Sequence, residues 1–237
     1  MQVLAGSDRI ALAGRLDDIR THRHAAPVIV VGLDRPVRFI AVDGEHTGRA
    51  VVVAPGFAHA VEARRGRLAL FLLPAGAVPA GGAPIRELAR PRAWHELGAA
   101  LADGALGDLA PVERCLARER LGARALDERL ERAIGRLADR LEDNVSIDDA
   151  AAEVGLSASR LMALAHAQIG APLRSYRRWL RTLRVARAFG AGASLTEAAH
   201  AAGFASSAHL AMAAREHFGI RPSDVLRPQG RDAIRPA

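Results

Sequence analysis

The chemistry most visible in the sequence is that of fixed positive charge. Between positions 154 and 196 lie seven arginines, Arg160, Arg174, Arg177, Arg178, Arg181, Arg184 and Arg187, and no acidic residue. Ordinary solvated helix faces mix both signs, whereas a long single-sign stretch suits a row of phosphates, which planar guanidinium groups bind through paired hydrogen bonds. The whole chain carries 33 basic residues against 26 acidic ones, a net charge of +7, and contains no lysine. A polyanion is the implied partner. Duplex suits better than single-stranded nucleic acid, because aromatic residues are only 4% of the chain and unpaired bases need stacking platforms.

Cys115 is the only cysteine, which excludes a disulfide within the chain and a cysteine metal cluster, and fits a reducing compartment. Asp8 and Arg9 fall where a signal peptide would have its apolar core, and no apolar run approaches the roughly 18 residues that span a bilayer. A soluble, cytoplasmic protein without a membrane segment is expected.

Two kinds of element must position the arginines. From 27 to 73 the apolar runs are short and β-branched: VIVV at 28–31, VRFIAV at 37–42, AVVV at 50–53 and LALFLL at 68–73. They read as strands, punctuated by Asp43-Gly44, Pro55-Gly56 and Arg65-Gly66. A Gly/Pro/Ala stretch through Pro84 ends the β pattern, and a helical period follows over 86–101, 112–121 and 126–142, the last with Leu130, Ile134, Leu137 and Leu141 on one face. The helices at 86–121 either complete the β domain or form a dimer contact; the sequence leaves both open. Two domains are expected, 1–125 and 126–237.

Within the second domain one pattern occurs twice. Ala151 with Gly155, and Ala199 with Gly203, place a small residue at a close helix crossing and a glycine in the following turn; the two glycines are 48 residues apart. This is what a helix-turn-helix unit requires. Ser157 and Ser206 are natural N-caps for second helices over 157–168 and 206–218. Between the units, 173–189 holds no glycine or proline, and as one helix spans roughly 25 Å. That can set two units about one DNA turn apart.

The segments GLSASRL (155–161), GAPLRSYRRWLRTLRVARAF (170–189), LTEAAHAAGFASSAHL (195–210) and HFGIRPSD (217–224) resemble the AraC family of transcriptional regulators. The resemblance covers 127–228. It implies an all-α domain of two helix-turn-helix units joined by a long helix, binding specific duplex DNA in bacterial promoters, with RNA polymerase and a homodimer partner as further contacts. On that template the base-facing residues are Ser157, Ser159, Arg160, Met162 and Ala163 in the first unit and Ser206, Ser207, Ala208, His209, Ala211 and Met212 in the second. Arg174, Arg177, Arg178, Arg181, Arg184 and Arg215 are the expected phosphate contacts. Ala165 and Ala214 stand where the family usually has phenylalanine, so the core there needs compensation.

The N-terminal segment resembles a shortened cupin, the small β-barrel sensor that many AraC-type regulators carry. A cupin's metal site uses two histidines at i and i+2, on one face of a strand, and a third after a Pro-x-Gly-type turn. His22, His24 and His59 fit those places, although the usual glutamate is missing. Three imidazoles suit zinc or another divalent metal with one open position; no other cofactor is implied, and the small-molecule effector is unspecified. The chain is thus expected to be a multidomain α and β protein and a non-enzymatic DNA-binding regulator. A cupin-type metal-dependent enzyme with a DNA-binding tail, or a partner protein docking on another regulator, are the alternatives.

Overall fold

The computed structural model describes residues 1–79, 82–122, 125–143, 145–225 and 234–236. Ten strands precede the helices: β1 Gln2–Ala5, β2 Ile10–Arg15, β3 Ile19–His22, β4 Val28–Gly32, β5 Val37–Ala41, β6 Gly44–Gly48, β7 Ala50–Val53, β8 His59–Glu62, β9 Arg67–Leu72 and β10 Ile85–Glu87. They form a seven-stranded sheet, ordered β10-β7-β4-β9-β2-β1-β11, and a four-stranded one, β3-β8-β5-β6. β11, Ile234–Pro236, runs parallel to β1 and brings the end of the chain back to its beginning.

The expected small barrel is corrected to two sheets that do not close on each other. The large sheet is instead covered on both faces. Val28 and Val30 of β4, Ile10 and Leu12 of β2, and Leu68, Leu70 and Leu72 of β9 belong to a core that continues into the helical region. The alternate residues Ile29, Val31, Ala11, Phe71 and Leu73 face a second core formed with α1 Pro91–Ala102 and α2 Ala110–Arg118. Burial on both sides explains why these strands read as unbroken apolar runs. The helices at 86–121 therefore pack on the β-sheet, Trp94 against Phe71 at 5.3 Å between ring centroids. The segment 85–87, partly read as helix, is a strand on β7, and Pro91 at the first helical position starts α1. Ala80 and Gly81, in the stretch read as a break, lie outside the described residues.

The helical region consists of α3 Glu128–Asp139, α4 Ile147–Glu153, α5 Ala158–Ile169, α6 Leu173–Gly190, α7 Leu195–Ala201, α8 Ser207–Phe218 and the single turn α9 Pro222–Val225. Local signals place the boundaries. Ser146, Ser157, Ser194 and Ser206 each accept a backbone N–H as N-caps, and Ser194 forms a full capping box with Glu197. Gly170 and Gly219 end α5 and α8 in the left-handed conformation. α6 buries Leu173, Tyr176, Trp179, Leu183 and Phe189, and Tyr176 also accepts a hydrogen bond at 3.2 Å from the backbone N–H of Ala75.

The two turn glycines are not equivalent. Gly155 has φ of 72° with open space around a Cβ, whereas at Gly203, φ 76°, a Cβ would stand 2.2 Å from the Leu141 carbonyl oxygen. Gly155→Ala should cost about 1–2 kcal/mol for left-handed strain. Gly203→Ala should cost distinctly more, because α7 must also move off α3's trailing turn. Chemical denaturation of the two variants side by side measures the difference.

Candidate functional site

The two helix-turn-helix units are α4–α5 and α7–α8, with α6 between them. In the first, Leu161, Ala165 and Ile169 are buried while Ser159, Arg160, Met162 and Ala163 are exposed. In the second, Leu210, Ala213 and Ala214 are buried, Ala208 and Met212 exposed, and Ser207 and Ala211 half-exposed. Met162 and Met212 are 42% and 55% accessible, large apolar side chains left in solvent, one on each helix. Four of the expected base-facing groups, Ser157, Ser159, Ser206 and His209, are engaged within their own unit. Ser157 Oγ accepts from Arg160 N–H and lies 3.1 Å from Ser159 Oγ. Ser206 Oγ accepts from His209 N–H, and the His209 ring packs edge-on to Phe204 at 5.4 Å.

The arginines divide by environment. Arg174 and Arg215 are exposed. Arg178 pairs with Glu216 at 3.3 Å and Arg184 with Glu142 at 3.4 Å, and Arg177 donates to the Val145 carbonyl at 2.7 Å. Arg181 is only 8% accessible. It donates to the Leu141 carbonyl at 3.2 Å and its guanidinium lies 5.8 Å from the Phe204 ring centroid. Arg181 joins α3's trailing turn to the second unit and is not presented to a phosphate. Sequence reasoning missed this because the arginine spacing on α6 says nothing of which side α7 covers.

His22, His24 and His59 do come together. β3 and β8 pair His22 with His59 directly, and one nitrogen of each of the three buried rings lies within 4.8 Å of the others. Backbone carbonyls fix two tautomers: His22 Nδ1–H donates to Arg20 O at 2.7 Å and His59 Nδ1–H to Phe57 O at 3.0 Å. Each ring thereby turns an unprotonated Nε2 inward, as metal-binding histidines do. His24 Nε2 stands 2.8 Å from His22 Nε2 and donates to it. His24 Nδ1 and His59 Nε2 are buried without a hydrogen-bond partner, the orphaned lone pairs that a cation would satisfy. The donor set fits a divalent metal.

Beside this cluster lies His217, at the end of α8, whose Nδ1–H donates to Arg23 O at 3.3 Å. An apolar cavity of about 80 Å³ opens between the halves of the molecule, lined by Leu12, Leu70, His24, Trp179, Leu210 and Ala214 among others. The small Ala214 side chain leaves part of this space open. A polar cleft containing Arg20, Arg215 and Arg221 adjoins the cavity, sharing Ile220 and Arg221 with it. This junction had no signal in the sequence, since it joins residues some 200 positions apart.

Residues 150–228 match the family model of a helix-turn-helix domain. No curated protein matches the chain. Among solved structures, ToxT from Vibrio cholerae O395 superposes with a TM-score of 0.63 at 9% identity, covering 93% of this chain and 99% of that one. ToxT from V. cholerae strain SCE256 bound to an unsaturated fatty acid gives 0.61 at 10% identity, covering 94% and 96%. The O395 protein bound to (E)-4-(8-methylnaphthalen-1-yl)but-3-enoic acid gives 0.62 at 10%, covering 92% and 98%. At these identities the shared property is the fold. Residues 150–228 thus carry a helix-turn-helix domain, and the chain as a whole shares the ToxT fold. Among the described residues no helix is long and apolar enough to cross a membrane.

The histidines make the junction sensitive to acid. Burial pushes His22 down to about 3, holds His24 well below 6.5 with the help of the neighbouring rings, and lowers His59 and His217. An unfolded chain protonates these rings near 6.5 while the folded one keeps them neutral, so unfolding takes up protons below that pH. Stability is full above about pH 6.5 and falls as pH drops toward the depressed folded values. The unfolding midpoint should fall between about pH 7.5 and about pH 5, and His59→Gln should flatten the dependence.

Proposed function

We propose that the protein places α5 and α8 in successive major-groove faces of duplex DNA and so controls the promoters it binds. The observation that carries this reading is the pair of N-capped helices flanking α6, each turning short or flexible uncharged side chains to solvent. Their base-facing groups are Ser159, Arg160, Met162 and Ala163 on α5, with Ser207, Ala208, His209, Ala211 and Met212 on α8; Ser157 and Ser206 hold the helix starts. Arg174, Arg177, Arg178, Arg184 and Arg215 supply phosphate contacts, three of them by exchanging a present partner. The protein acts in the cytoplasm, with RNA polymerase and a second copy of itself as partners on the promoter. No residue is assigned a catalytic role.

Bidentate base contacts contribute about 1–3 kcal/mol each to discrimination, and methionine and alanine cannot make them. Specificity therefore rests on thymine methyls, a few hydroxyls, Arg160 and DNA shape. Selection from random duplexes should return a short, weakly informative, A·T-favouring motif; a long motif with invariant guanines under both helices would refute this. Arg174→Ala and Arg215→Ala should each reduce the slope of log K against log[salt] by about 0.9, and two unchanged slopes would remove both from the phosphate set.

The effector proposed is an apolar organic acid, its tail in the junction cavity and its carboxylate beside Arg20 and Arg221. The shared fold with ToxT, solved with an unsaturated fatty acid and with an aryl butenoic acid, supports that class. At about 80 Å³ the cavity is smaller than the roughly 150 Å³ that admits benzene. A longer tail must part the two halves, which is how binding reaches α8. With oleate as probe, duplex affinity should change in the native chain and stay constant in Ala214→Leu, which fills the cavity. No response in the native chain, or an equal one in the variant, rejects the site.

A further inference from the structure

The polar cleft that adjoins the apolar cavity is larger and richer in cations than a carboxylate requires. It measures about 550 Å³ against about 80 Å³ for the cavity, within the roughly 300–1,000 Å³ of small-molecule sites. Arg15, Arg20 and Arg221 line it, together with Asp17, Asp18 and Asp224. The acids are engaged: Asp18 accepts the Arg64 N–H at 2.7 Å, Asp224 accepts the Arg221 N–H at 3.1 Å, and Asp17 faces Arg65 at 3.5 Å. The guanidiniums are less so. Arg15 donates to the Arg65 carbonyl at 3.4 Å, and among the described residues Arg20 and Arg221 have no side-chain partner. The turn between β8 and β9 sets this distribution. Arg64 and Arg65 both take left-handed backbone there, with φ of 47° and 54°, a costly conformation for residues with side chains that persists where the surroundings enforce it. So placed, the Arg64 N–H ties down an acid of the cleft and the Arg65 carbonyl steadies a cation.

We propose that the acidic head best matched to this cleft is a phosphate monoester, held by Arg15 in addition to the Arg20 and Arg221 that would meet a carboxylate. A carboxylate brings one charge and two oxygens, which one or two guanidiniums satisfy. A phosphate monoester brings a charge of about −1.5 to −2 at pH 7 and three acceptor oxygens, one for each of these arginines. Guanidinium forks suit phosphate geometry as well as they suit carboxylate. The apolar chain stays in the cavity, and head and tail are continuous because Ile220 and Arg221 line both spaces. Arg215, which also lines the cleft, keeps the duplex contact assigned to it. The ligand class is thus an apolar chain ending in phosphate, bound in preference to the corresponding carboxylic acid.

This inference rests on the junction cavity taking an apolar chain, and the experiment separates the two. The full chain, without DNA, is titrated by calorimetry with oleate, with oleyl phosphate and with inorganic phosphate, each amphiphile below its micellar concentration. Oleyl phosphate should bind about tenfold or more tightly than oleate, the worth of one further charge-assisted hydrogen bond. Arg15→Gln should bring oleyl phosphate to within about threefold of oleate and leave oleate's own affinity unaltered. Arg15→Lys, which keeps the charge without the planar fork, should lose part of the preference. Inorganic phosphate alone should bind about a hundredfold or more weakly than oleyl phosphate, since no chain is buried with it. Equal affinities for the two amphiphiles, or a preference that survives in both Arg15 variants, overturn the proposal and leave the junction cavity standing. Inorganic phosphate binding as tightly as oleyl phosphate overturns it too. No binding of either amphiphile, or binding that Ala214→Leu does not weaken, rejects the junction cavity itself and the proposal with it.

Discussion

The constraint on which the rest depends is that the large sheet is buried on both faces. A strand's side chains alternate, so β2, β4 and β9 must supply two apolar surfaces, and each needs a cover. α1 and α2 provide one. The other is completed by the smaller sheet and by the helical region, whose Tyr176, Trp179, Val185 and Ala186 belong to the same core as Val3, Leu12 and Leu70. The two halves are therefore joined by hydrophobic burial rather than by a tether. Any change on the inner face of the large sheet is felt by the helices packed on it, because close-packed interfaces adjust by discrete shifts.

How much of this the sequence disclosed follows from how local each signal is. The helix-turn-helix units were legible almost to the residue, since serine caps and left-handed glycines act within one turn of chain: α5 and α8 begin directly after Ser157 and Ser206. β4, β5, β7 and β9 were legible from their β-branched runs. β1, β2 and β3 were not, because IALAGR and IRTH have modest β-propensity and become strands through partners up to 60 positions away. The histidines were legible in spacing but not in environment. Nothing local indicates that Arg20 and Phe57 carbonyls would set two tautomers, or that α8 would close over His24.

The arginine run carries a similar lesson. Read as a list it is uniform, yet along α6 the residues turn to different surroundings every hundred degrees. Arg174 meets solvent, Arg177 a loop carbonyl and Arg178 the Glu216–His217 end of α8, while Arg181 fills the space between Leu141 and Phe204. A buried guanidinium is tolerated only when its donors are matched, and the Leu141 carbonyl lies at the very point where Gly203 comes closest. Arg177 and Arg181 in this acid-free run donate to the Val145 and Leu141 carbonyls. A carboxylate on this face of α6 would compete for the donors that tie the second unit down.

α5 and α8 also differ in how they meet the β region. α5 meets the β region through its terminal turn, where the Gly170 carbonyl approaches Gly56 so closely that a Cβ there would stand 2.7 Å away. The Pro55 ring packs against Gly170 at the same place, and both line a cleft with Val52 and Ile169. α8 meets it through His217, Phe218 and Gly219, beside the apolar cavity and the imidazoles. The second unit therefore meets the β region through side chains of its last turn, and the first through the backbone end of α5 and Pro55. Differential binding can bias only an element it touches in two states.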